Sequence, residues 1–162
     1  MQLKNASHRS AICHEGDSQP ELARQAWRDA INYLKEADDI PINGSNHIFT
    51  ELQKSYGQLA NYEIGMGEFE NALALIKERV KHAQKDPDSL VDCASQFSDL
   101  AAAVKEDRSS LTAEEREAKA HECMDDAFEA VRNALNGGYS DLARLGRIFI
   151  WRQFAVPGST ER

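Results

Sequence analysis

GEFENALALIKERV, Gly67 to Val80, decides how the rest of the chain is read. Phe69, Ala72, Leu73, Ile76 and Val80 recur at three- and four-residue intervals, which is one face of an α-helix. Ala83 continues the same face. The stretch keeps Ala72 where a larger side chain could have been buried. A small residue there predicts that a second helix approaches closely, toward the short end of the ~8–10 Å packing range.

The pattern repeats on both sides. Upstream, PELARQAWRDAINYLKEA starts with Pro20 in a first turn, where its missing N–H costs nothing. Leu22, Ala23, Ala26, Trp27, Ala30, Ile31 and Leu34 form its apolar face. DDIPINGSN breaks that helix through Pro41 and Gly44, and Ser45 or Asn46 can cap the next. A helix over about His47 to Ile64 carries Ile48, Phe49, Leu52, Tyr56, Leu59 and Ala60. It ends at GMG, because glycine tolerates the left-handed conformation that closes a helix. Downstream, KDPDSL marks another start, with Asp86 as cap and Pro87 at the first helical position. Leu90, Val91, Ala94, Phe97, Leu100, Ala101 and Val104 follow as a stripe. LTAEE reads as a capping box between Thr112 and Glu115, opening the longest helix, about Ala113 to Leu135. NGG closes it, and a last helix starts near Ser140. RIFIWRQF mixes β-favouring residues with no breaker. This is an all-α chain joined by short polar connections, which favour antiparallel neighbours. The organisation is a weakly patterned segment over 1–18, a helical domain over 19–146, and a capping segment and tail over 147–162.

Composition sets the boundaries. With 162 residues, 41% hydrophobic and 28% charged, the chain can bury one real core and is not of disordered type. A net charge of -8 disfavours nucleic acid. Arg144, Arg147 and Arg152 are the one basic grouping, without interleaved aromatics. No segment approaches the ~20 apolar residues of a membrane span, and no signal peptide is evident. Three cysteines, Cys13, Cys93 and Cys123, argue against a disulfide framework and for a reducing compartment. A cytoplasmic protein is expected.

Three helices share a residue order. ELARQAWRDAI, ENALALIKERV and DDAFEAVRNAL each have an early Ala: Ala23, Ala72 and Ala127. Four residues on stand Trp27, Ile76 and Val131. Ala30 and Ala134 come next in the first and third, where the middle helix departs with Arg79. Ile31, Val80 and Leu135 close the series. The preceding helices match as well: Tyr56, Leu59 and Ala60 against Leu90, Cys93 and Ala94.

Through Tyr56, Leu59, Ala60, Gly67, Phe69, Ala72, Ile76 and Pro87 the chain resembles the tetratricopeptide repeat (TPR) family over about Gln19 to Leu145. From about Ser89 to Leu145 it also resembles the C-terminal helical regions of planctomycete-type bacterial serine/threonine protein kinases. That likeness rests on SLVDCASQFSDLAAAV, LTAEEREAKA and AFEAVRNALNGGYSDLARL. The small-residue positions recur after 49 residues (23 to 72) and 55 (72 to 127), against a TPR unit of about 34. No kinase catalytic signature is present. The resemblance implies TPR-like antiparallel helix pairs stacked into a short right-handed superhelix of about 2.5–3 units. It also implies a concave groove lined by the first helix of each pair. Carried over position by position, the groove residues are Lys54, Gly57, Asn61, Ile64, Asp88, Val91, Ser95 and Ser98.

The chain offers little chemistry. His14 beside Cys13, and His121 two before Cys123, lack the four converging ligands of a structural zinc site. Glu122, Asp126 and Glu129 share a helix face and read as a solvated acidic surface. No catalytic residue, cofactor or metal is assigned. The expected function is a non-catalytic protein–protein interaction module that binds a peptide or partner protein, with no nucleic acid or membrane partner. The alternatives are an accessory or regulatory arm related to a bacterial protein kinase, and a small helical-bundle enzyme with an unrecognised pocket. Ile148–Trp151 is expected to cap the last helix pair of a monomer; its other use is a homo-oligomer contact.

Overall fold

The computed structural model describes residues 20–38, 45–107 and 111–146. The expectations for residues 1–18 and for Ile148–Trp151 lie outside these. The described chain is helical: α1 Pro20–Asp38, α2 Ser45–Gly65, α3 Phe69–Ala83, α4 Pro87–Glu106 and α5 Ala113–Asn136. A helical turn over residues 142–146 follows, and no strand occurs among the described residues. None of the helices is long and apolar enough to cross a membrane.

The start and stop signals act where local chemistry places them. Gly67 takes φ 77°, and Glu68 N–H closes back on the carbonyl of Glu63 at 2.9 Å. That left-handed residue costs glycine little, and it turns the chain from α2 into α3. Pro87 occupies the first turn of α4. Asp86 stands at the N-cap, but its carboxylate accepts from Ser89 Oγ at 2.6 Å instead of from a backbone N–H. At α5 the capping box closes fully. Glu115 N–H donates to Thr112 Oγ1 at 3.2 Å, and Thr112 N–H donates to Glu115 Oε2 at 2.7 Å. That backbone N–H, chiefly, holds the Glu115 carboxyl below its ordinary range.

Each helix packs on the next in sequence, and α2 and α4 also touch directly. The small residues sit where close approach was expected. Ala23, Ala72 and Ala127 are fully buried, as are Ala60 and Ala94. Trp27 and Tyr56 belong to a core cluster between α1 and α2, and Ile76 and Phe97 to a larger one spanning α2 to α5 and Leu145. Two stripe expectations fail. Leu22 is half exposed, because α1 turns its buried face on Ala23, Trp27, Ala30 and Leu34. Leu135, the counterpart of Ile31 and Val80, is 42% exposed at the end of the series.

Cys93 and Cys123 are buried free thiols, and burial pushes both up to about 11. The acidic face of α5 is more than a solvated surface. Lys77 of α3 reaches Glu122 at 3.0 Å and Asp126 at 3.1 Å, and Lys119 of α5 pairs with Glu70 of α3.

Candidate functional site

The α2–α4 contact is built around a cation. Arg79 of α3 is 8% exposed and points between the two helices. Its Nε donates to Gln53 Oε1 of α2 at 3.1 Å, and its Nη1 donates to Gln96 Oε1 of α4. Gln53 Nε2 returns a bond to the Arg79 carbonyl at 3.3 Å. Gln96 Nε2 donates to the carbonyl of Gly57 and to Asn61 Oδ1, both at 2.8 Å. Three helices therefore meet through one guanidinium and two carboxamides. A buried polar group is tolerated when its hydrogen bonds are met, and this set meets them.

Charge continues outward from Arg79. Its Nη2 lies 3.9 Å from Asp92 on α4. Arg144, from the turn after α5, donates to the same Asp92 and lies 3.5 Å from Asp88. The cation inside and the cation outside thus share one carboxylate. The 142–146 turn is held across the start of α4, with Leu145 in the core beneath it.

The eight residues proposed for a groove divide in two. Lys54, Asn61 and Asp88 are exposed, while Ser95 and Ile64 are partly buried. Lys54 pairs with Glu51 at 3.0 Å and Asn61 accepts from Gln96. Gly57, Val91 and Ser98 are corrected. Val91 and Ser98 are 0% and 1% exposed, since both lie on the side of α4 that neighbouring helices cover. Gly57 is buried as well: a Cβ built there would stand 3.1 Å from Arg79 Nη1. Its missing side chain makes the room that Arg79 occupies. What remains of the expected face is Lys54, Asn61 and the partly buried Ile64 on α2, with Asp88 and Ser95 on α4.

The residues that brace this face were not singled out from the sequence as site residues. Arg79, Gln53, Gln96 and Asp92 do that work. A second buried ion pair does the same at the other side of α2. Glu63 is fully buried, and Arg24 of α1 grips it through Nε at 2.8 Å and Nη2 at 2.9 Å. Arg28 stands 3.8 Å away. One signal was in reach: Arg79 interrupts a series in which the equivalent positions are Ala30 and Ala134. An arginine on an otherwise apolar stripe must find buried partners, and glutamines on adjacent helices are suitable ones.

Chemically, the face offers an amide, a hydroxyl, a carboxylate and an ammonium on rigid helices. That suits hydrogen bonding to a partner's backbone and polar side chains. His121 Nδ1 lies 3.1 Å from Asp125 on an exposed stretch of α5. Among the described residues no group of three or more His, Cys, Asp or Glu side chains is arranged to hold a metal ion. Comparison with protein-family models, with curated proteins and with solved structures gives no match.

Proposed function

We propose that the chain is a non-catalytic protein–protein interaction module of the tetratricopeptide type, receiving a short peptide or partner segment along the outer face shared by α2 and α4. In this reading α2/α3 and α4/α5 are stacked helix pairs, and α1 is the second member of a preceding one. The observation that carries it is the bond from Gln96 to Asn61 at 2.8 Å. That bond sits where the buried network meets the surface, so the exposed amide of Asn61 is held in place by the core behind it. A pre-ordered polar surface loses little side-chain entropy on binding. Buried reduced thiols at Cys93 and Cys123 agree with work in a reducing compartment.

The test is a peptide-display selection against the full chain, followed by direct binding of the selected peptides. Wild type is compared with Asn61→Ala/Ser95→Ala and with Lys54→Glu. The expected result is a loss of affinity of at least about ten-fold in the double variant, with the helical fold retained by circular dichroism. Selected peptides that bind all three proteins equally would reject this face as the site.

A further inference from the structure

A cleft between α3 and α5 shares no lining residue with the face on α2 and α4. Two ion-pair rungs tie its helices together. Glu70 of α3 pairs with Lys119 of α5, and Lys77 pairs with Asp126 at 3.1 Å. From one rung to the next is seven residues on both helices, about two turns, so α3 and α5 run side by side in the same direction. Their backbones scarcely approach each other, and long side chains span the gap.

One turn further the rungs stop. Lys81 is the next position on α3, and Ala130 stands in its register on α5. Alanine is too short to cross, and a hollow of about 270 Å³ opens there. Val80, Ala130 and Phe97 of α4 give it an apolar floor. Its walls differ in sign, with Lys81 on the α3 side and Glu129 and Asn133 on the α5 side. Lys81 pairs with its helix neighbour Glu78, a surface contact that water screens and that yields readily. Glu129 and Asn133 are exposed, and neither has a side-chain partner among the described residues.

We propose that this hollow binds a small zwitterion with an apolar body: a free amino acid carrying an aromatic or aliphatic side chain. Its carboxylate meets the ammonium of Lys81 on one wall. Its amino group meets the carboxylate of Glu129 and the amide oxygen of Asn133 on the other. Its side chain lies over Val80, Ala130 and Phe97. A ligand with one charge would satisfy one wall and leave the charge of the other against an apolar body, whereas a zwitterion satisfies both. An apolar floor with a few convergent polar groups is the usual make-up of a small-molecule site. The hollow holds one amino acid and stays open to water, so binding is weak, with a dissociation constant on the order of a millimolar.

Titration of the isotopically labelled full chain with L-phenylalanine, followed by amide chemical shifts, tests it. The expected result is saturable shifts centred on residues 77–81 and 126–133. Capping either charge of the probe, as in phenylalanine amide or N-acetylphenylalanine, weakens binding at least about five-fold. Lys81→Gln abolishes the preference for a free carboxylate and keeps the preference for a free amine. Glu129→Gln does the reverse. Both side chains are exposed, so neither change disturbs the fold. The absence of a saturable shift up to about 20 mM phenylalanine overturns the proposal, as do shifts centred elsewhere on the chain. Capped probes that bind as well as phenylalanine, or variants that keep both preferences, overturn it as well.

Discussion

Gly57 and Arg79 occupy one space: the Cβ that Gly57 lacks would lie 3.1 Å from Arg79 Nη1 and 3.4 Å from its Cζ. The guanidinium cannot swing aside without breaking bonds to Gln53 and Gln96. The glycine on α2, the arginine on α3 and the glutamine on α4 are therefore one unit, and it is this unit that supports the proposed face.

Gly57→Ala tests that unit directly. In an unconstrained helix interior, alanine is favoured over glycine by roughly 1 kcal/mol. Here the added methyl presses on a pinned side chain, and the expected outcome is a net loss of about 1 kcal/mol or more in urea unfolding. Gly65→Ala is the internal comparison. Nothing lies within 4 Å of its added Cβ, so that change is expected to be neutral or slightly stabilising.

Glu63→Ala removes the carboxylate that Arg24 holds with one hydrogen bond through Nη2 and an ion-pair contact through Nε. Arg24 keeps the exposed Glu21 at 2.9 Å, so the expected loss stays below the roughly 3 kcal/mol of a buried charge left without any partner. The loss falls between α1 and α2, so the backbone amides of α1 gain hydrogen exchange more than those of α5 do. Equal acceleration along the whole chain would mean that the pair supports the fold globally and does not specifically anchor α1. Glu63→Gln, which keeps an acceptor for Arg24, is expected to lose less.

The two buried thiols predict an alkaline weakness. Burial raises both to about 11, above the ~8.5 of an exposed cysteine. The folded state thus keeps protons that the unfolded state releases between those values. Stability present below pH ~8.5 falls as pH rises toward 11. A Cys93→Ala/Cys123→Ala variant flattens that part of the urea-midpoint profile. In a Cys13→Ser background, neither remaining thiol reacts quickly with a thiol reagent at pH 8 until the chain is unfolded. Rapid reaction of either one in the folded protein would contradict its burial.

Much of this was legible before any coordinates. Gly67 and Pro87 placed the boundaries of α2 to α4, and Thr112 with Glu115 placed the start of α5, because caps and turns are settled within a few residues. Ala23, Ala72 and Ala127 announced close helix contacts, and each is fully buried. Trp27, Tyr56 and Phe97 read as core, and they are.

The candidate site was only partly legible. Lys54, Asn61 and Asp88 do reach the surface, whereas Val91 and Ser98 lie under neighbouring helices and Gly57 under Arg79. Periodicity shows that a helix has an apolar side, but not how wide a strip its neighbours will cover. Arg79 and Glu63 are the sharper cases, since a charge in a helical stripe ordinarily implies solvent.

By itself, then, the sequence determined the bounds and the apolar faces of the described helices. Those depend on interactions at three- and four-residue spacing and on the conformational freedom of single residues. Only the tertiary structure decided that Arg79 would be enclosed by Gln53 and Gln96, that Glu63 would be held by Arg24, and that Arg144 would share Asp92 with Arg79. Each of these joins residues from different helices, and a buried charge is stable only once its distant partner has arrived.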